Sequence, residues 1–252
     1  YIDGVVIIDG GTFSLTSTDD GIRAANLIQI ISGTFTIKSG DDGINSDNDI
    51  SISGGTLNIE ALDDGITANI DVLISGGTIN INKSLEGIEG KNIRITAGDI
   101  KIISSNDGVS AATLAVKTDT QAVAEDESTH ETLPEIMFSM TGGNLFIDSE
   151  TDGIDSNGNI YISGGKIEIV SARHAKEKPV DYDLDAVIVG GELVSSGYLG
   201  KGKNFSLSSK NVSVLFNYTL VDKGSILSIE DSSGKTVFTY TLKDFSKLFL
   251  LS

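Results

Sequence analysis

A phrase built from an acidic residue, a glycine and alternating isoleucines is rewritten along this chain at a nearly fixed interval. That interval limits what the chain can fold into more than any other feature. Aligned on the acid before glycine, the copies are Asp20-Gly21-Ile22, Asp42-Gly43-Ile44, Asp64-Gly65-Ile66, Glu86-Gly87-Ile88, Asp107-Gly108-Val109 and Asp152-Gly153-Ile154. The first four steps are 22, 22, 22 and 21 residues, and the fifth is 45. A period between about 20 and 50 residues marks a repeat architecture, in which no unit buries its apolar face alone. The long step holds one ordinary return phrase, "FSMTGGNLFI", behind an extra stretch, and so reads as one unit carrying an insertion.

The return phrase itself recurs as "ISGTFTI" from Ile31, "ISGGTLNI" from Ile52, "ISGGTINI" from Ile74 and "ISGGKIEI" from Ile162, with "IDGGTFSL" from Ile8 opening the series. Each copy sets apolar residues around polar ones on both sides of a glycine turn, the alternation of half-buried strands. No unit leaves room for a helix. Three short strands per unit predict an all-β fold, a right-handed parallel β-helix of about eight coils with a 22-residue repeat. Strands of neighbouring coils then stack about 4.8 Å apart, so equivalent residues form ladders along the rod. Ile22, Ile44, Ile66, Ile88, Val109 and Ile154 are expected to make one interior ladder, and Ile37, Ile59, Ile81, Ile102, Ile147 and Ile169 another. Phe13 and Phe35 follow the turn in strand register and read as core.

The boundaries follow from where the pattern stops. Residues 1–202 read as the parallel β-helix, and 203–252 as a C-terminal cap of antiparallel hairpins turning at Lys223-Gly224 and Ser233-Gly234. A cap is expected because an uncovered last coil invites edge pairing. Residues 111–135 interrupt the sixth coil with polar and acidic composition and read as a surface loop or a flap. A second excursion, "SARHAKEKPVDYDLD" from Ser171, precedes the last return phrase. The two histidines, His130 and His174, both fall in these interruptions and read as solvated. Among 252 residues, 29 glycines serve the turns and only two prolines occur, which suits strands that need every backbone donor. No apolar stretch of 18 residues or more is present and no signal peptide begins the chain, so neither a membrane span nor insertion is expected.

With 36 acidic against 18 basic residues, the formal net charge is -18. Such a surface repels nucleic acid and anionic membranes, and repels a polyanionic glycan unless cations stand between them. The repeat concentrates that charge. Asp19, Asp41 and Asp63 fall in one ladder, and Asp20, Asp42, Asp64, Glu86, Asp107 and Asp152 in a second beside it, like charges about 5 Å apart. Asp-Gly is a common turn pair, so one copy would mean no more than a turn. Six stacked copies supply instead what a hard cation such as calcium needs, 6 to 8 oxygens at about 2.3 to 2.6 Å. Asp155, with Asn45, Asp47, Asn69 and Asn157, lies downstream as a further ligand choice. The spacing is neither that of the EF-hand loop nor that of the nonapeptide calcium repeat.

"SETDGIDSNGNIYISGGKIEI" followed by "PVDYDLDAVIVGGELVSSGYLG" resembles the last coils of a family of secreted bacterial right-handed β-helix proteins described as carbohydrate-binding domain-containing. That family is similar to the pectate lyases of polysaccharide lyase family 9. The resemblance covers residues 3 to about 200. It implies calcium binding, recognition of plant or microbial polysaccharide, with pectic acid sugars and cellulose as the named classes, and an extracellular or bacterial cell-surface location. It also implies a metal held by an adjacent aspartate pair with an aspartate from the preceding coil, matched here by Asp41-Asp42 or Asp63-Asp64 with Asp19-Asp20 or Asp41-Asp42 behind them. The lyases take the substrate proton with a lysine, but Lys38, Lys83, Lys91 and Lys101 sit in no recognisable catalytic phrase.

No serine-histidine-aspartate arrangement is apparent either. The chain has no tryptophan and six tyrosines, so flat aromatic docking on cellulose is disfavoured. Tyr161, Tyr182 and Tyr198 are the candidates for sugar stacking, Tyr182 in a loop between Asp181 and Asp183. The sequence is therefore read as a monomeric, calcium-dependent carbohydrate-binding protein without catalytic residues. A lyase-like enzyme performing β-elimination, and a structural spacer or adhesin that binds no sugar, are the alternatives.

Overall fold

A computed structural model describes residues 3–114, 136–174, 176–197 and 202–252. These residues contain strands and no helix, so none is long and apolar enough to cross a membrane. They wind into a parallel β-helix of about eight coils spaced by 22 residues, as the period predicts.

Each coil has three faces. The first is built from short strands such as Ile22–Ala24, Ile44–Ser46, Val109–Ala111 and Ile154–Ser156. The second and third flank the glycine corner, and in several coils one strand runs through both, as in Leu27–Lys38 and Met137–Ser149. Register follows the repeat. On the first face Ile22, Ile44, Ile66, Ile88, Val109, Ile154 and Val180 stand in one line. On the third, Leu15, Ile37, Ile59, Ile81, Ile102, Ile147 and Ile169 do the same. From Ile37 to Ile169 every member of that ladder is fully buried. The core is thus a column of stacked isoleucines, each strand contributing one apolar residue to the layer above and below it. Phe35 is buried, and the half-buried Phe13 stacks on it with centroids 4.9 Å apart.

Glycine is required in the acidic phrase for room. A Cβ on Gly65 would lie 2.6 Å from the Gly87 carbonyl oxygen and 2.7 Å from Ile81 Cγ2. Gly43, Gly87 and Gly153 are confined in the same way. The corner glycines differ, since Gly55, Gly77 and Gly165 hold φ near +90°, a region that side chains resist.

The end of the rod departs from the sequence reading in two places. Val180–Tyr182 belongs to no excursion: it is a strand of the first face, paired in parallel with Ile154–Ser156. In the cap, Ile226–Glu230 and Thr236–Thr241 form the expected hairpin around Gly234. Val214–Val221 does not pair across Lys223-Gly224. It joins Ser246–Leu251, which runs antiparallel along Val194–Gly197 of the last coil and covers that edge. Arg173 ties the rod to the cap, with its guanidinium on Asp148 and Asp244. The insertion between Leu114 and Ile136, with His130, and Tyr198 lie outside the described residues.

Candidate metal centre on the acidic turns

The turn between the third and first faces carries the acidic ladders, and its local structure explains the second of them. Asp20, Asp42, Asp64 and Asp152 are buried, each at most 9% exposed. Each turns Oδ1 toward the next coil and accepts a hydrogen bond from its backbone: Asp42 N–H to Asp20 at 3.2 Å, Asp64 N–H to Asp42 at 3.0 Å, Glu86 N–H to Asp64 at 3.2 Å. Asp107 does the same for the amide of Asp152, at 2.9 Å. One carboxylate oxygen per coil is therefore a backbone cap. The other oxygen takes a side-chain donor at two of them, Arg23 at Asp20 Oδ2 and Asn45 at Asp42 Oδ2.

Acidic side chains crowd into four groups of three carboxylates whose ligand atoms lie within 4.8 Å of one another: Asp19–Asp20–Asp41, Asp41–Asp42–Asp63, Asp64–Glu86–Glu89 and Asp152–Asp155–Asp181. Burial, then neighbouring negative charge, pushes up the proton affinity of the more buried members. Asp42 and Asp152 rise to about 7 and Asp155 to about 6. Glu86 also rises to about 7, burial first and then the charge of Asp64 and Asp107, and Glu89 to about 9, burial first and then the charge of Glu86 and Asp64. Carboxylates this close cannot all stay charged without a cation.

The protein supplies one at the two ends. Arg23 lies 3.3 Å from Asp20 and 3.4 Å from Asp47. At the other end Lys178 contacts Asp181, and Lys203 lies 3.6 Å from it. Among the described residues the two middle groups contact no basic side chain. Asp42 Oδ2 accepts from Asn45 Nδ2 at 2.6 Å, and Glu86 Oε1 from Asn106 Nδ2 at 3.0 Å, while Glu86 Oε2 is buried with no partner. The all-oxygen donor set and this orphaned oxygen fit a hard cation.

Of the acids singled out from sequence, nine stand in these groups. Asp107 does not, its Oδ1 being held by Thr151 and by the Asp152 amide. The pairs Asp19-Asp20 and Asp41-Asp42 are joined by an acid of the following coil, Asp41 or Asp63, whereas the resemblance implied the preceding one, and Asp63 and Asp64 fall in different groups. Glu89 was missed. It stands beside Ile88 in register with Asn45 and Asp155, so the same alignment that picked those two out could have found it.

The sugar-stacking candidates divide. Tyr182 lies in a strand; its hydroxyl donates to the Asn204 carbonyl at 2.7 Å and Lys203 Nζ covers its ring at 3.6 Å, so both polar tip and one face are occupied. Tyr161 stands on the second face, 41% exposed, between Ser139 and Val187. Asp181 belongs to the terminal acidic group and Asp183 is exposed beside it. Lys38 pairs with Glu60 at 3.0 Å, away from the acids. Lys178, which does reach them, has its proton affinity raised by its acidic neighbours despite burial, the wrong direction for a base.

A family model described as "Carbohydrate-binding domain-containing protein" matches three overlapping stretches, residues 1–113, 41–175 and 86–213. The overlap is what a repeat allows, because successive coils offer the same pattern in more than one register. No curated protein and no solved structure matches the chain.

Proposed function

For a chain that belongs to the carbohydrate-binding domain-containing protein family, we propose calcium-dependent binding of an acidic polysaccharide on the first face, without catalysis. The observation that carries this reading is the pair of middle groups, Asp41–Asp42–Asp63 and Asp64–Glu86–Glu89, left without a protein cation while both ends of the ladder have one. A bound calcium would supply positive charge there and could share its remaining coordination with sugar carboxylates. The backbone-capping oxygens of Asp42 and Asp64 keep the turns rigid, so these carboxylates are held in position before any ion arrives.

Acidic, pectin-like sugar is favoured over cellulose because no flat row of aromatic rings faces outward among the described residues, and because a calcium bridge turns the net charge of -18 from an obstacle into an anchor. A polymer of this kind lies outside the cell, so the proposal includes an extracellular or bacterial cell-surface location. Against the lyase alternative, the acidic neighbours of Lys178 raise its proton affinity, the direction opposite to what a general base needs.

Titration with oligogalacturonate, with and without calcium, tests this directly while absorbance reports unsaturated product. Binding only with calcium and without product supports the reading. Product would make the protein a lyase, and absence of binding with calcium bound would leave the rod as a spacer.

A further inference from the structure

The third face holds a second feature unrelated to the acidic turns. Its outward positions in successive coils are Asn58, Asn80, Lys101, Phe146 and Glu168, in strand register. All but Asn58 border a cleft of about 280 Å³, near the lower end of ligand sites. Phe146 lines it with a half-buried ring turned away from the core, between the buried Leu145 and Ile147. The cap closes one end: Tyr240 donates to Glu168 Oε1 at 2.8 Å, and Lys243 contacts the same oxygen at 2.7 Å while its Nζ lies 4.4 Å from the Phe146 centroid.

Charge in this cleft runs against the rest of the molecule. Its two acids are already engaged, Glu168 by Tyr240 and Lys243, and Asp99 by Asn144 Nδ2 at 2.6 Å. Lys166 reaches Glu192 only at 3.7 Å, both side chains being more than 60% exposed, so that pair is loosely held. Lys101 is exposed and takes part in none of the ion pairs found among the described residues. The Lys101 ammonium, the Phe146 ring, which Lys243 approaches from the cap end, and the side-chain amide of Asn80, whose Nδ2 donates to Asn58 Oδ1 at 3.1 Å, therefore share one small concavity. A sugar ring presents C–H groups to an aromatic face and hydroxyls to an amide, and a carboxylate on that ring meets the ammonium. A depression of about 210 Å³ in the cap between Tyr218 and Leu242 offers no charged group.

We propose that the third-face cleft around Lys101 and Phe146 is a carbohydrate subsite for a single uronate unit that works without metal. It does not depend on the calcium reading, and the two fail separately. The probe is trigalacturonate titrated into the full chain in excess chelator, with a neutral trisaccharide of glucose as the comparison. The expected result is binding of the uronate that weakens about tenfold or more in Lys101→Glu, the loss expected for one charged hydrogen bond. Lys101 is exposed, so that variant keeps its fold, and Phe146→Ala is expected to weaken binding independently. No binding in chelator, equal binding by Lys101→Glu, or equal binding of the neutral sugar would each overturn the proposal.

Discussion

Asp42 shows how one side chain carries two roles that different substitutions separate. Its Oδ1 caps the Asp64 amide and its Oδ2 faces the cluster. Asp42→Asn keeps an acceptor, whereas Asp42→Ala leaves a buried N–H unpaired, at a cost of about 1–3 kcal/mol. In chelator, Ala is therefore expected to lower the urea midpoint and Asn to leave it near wild type or above it; equal loss in both would remove the capping role. Glu89 presents the opposite balance. Its carboxyl lies within 4.8 Å of those of Asp64 and Glu86, and burial, then their charge, pushes its proton affinity up to about 9. Glu89→Gln is expected to raise the melting temperature at pH 8 in chelator and to shrink the further rise on adding calcium, since one repelling carboxylate and one ligand go together. Calorimetry with and without calcium reads both.

A single coil is stable only through its neighbours, and glycine sets how closely they approach. Gly65→Ala must push a methyl into the Gly87 carbonyl and Ile81, so a loss of about 3 kcal/mol is expected, the upper range for overpacking. Gly224 in the cap holds φ +84° with nothing within 4 Å of a Cβ, and Gly224→Ala costs only the backbone term, about 1–2 kcal/mol. Urea unfolding of the two variants tests that ranking, and a larger loss at Gly224 would mean that the coils separate to accept a methyl. The six acidic turn phrases were legible in sequence because each coil is its neighbour's partner: aligning the repeat is the same operation as stacking the strands. The cap was less legible, because Val214–Val221 passes over its nearest hairpin partner to join Ser246–Leu251, and no period records that choice.

Across the whole molecule, the raised carboxyl groups make stability depend on pH in a direction that can be stated. Asp42, whose affinity rises from 3.8 to about 7, binds its proton more tightly folded than unfolded, as do Asp152 and Asp155. Their stabilisation is fully present below pH 4 and is lost as pH rises through about 6 to 7. In metal-free buffer the melting temperature is therefore expected to fall between pH 5 and pH 8. Calcium, which binds the deprotonated form, should recover most of that loss at pH 8 and little at pH 5. A melting temperature flat across this range in chelator would mean that solvent already screens the ladders.

By itself the sequence determined the coil count, the isoleucine columns and the stacking of acid on acid, because a fixed period leaves each residue only one kind of neighbour along the rod. Only the tertiary structure decided which carboxylates receive a protein cation. Arg23 and Lys178 occupy the two ends through local contacts that the alignment of acids does not contain, and the middle groups are singled out by what does not reach them. It also decided the third-face cleft, where Tyr240 meets Glu168 across 72 residues, and the tie between rod and cap, where Arg173 meets Asp244 across 71. Those separations fit no repeat. They arise where a non-repeating tail folds back on the rod, and such contacts depend on shape in three dimensions, which a periodic sequence does not encode.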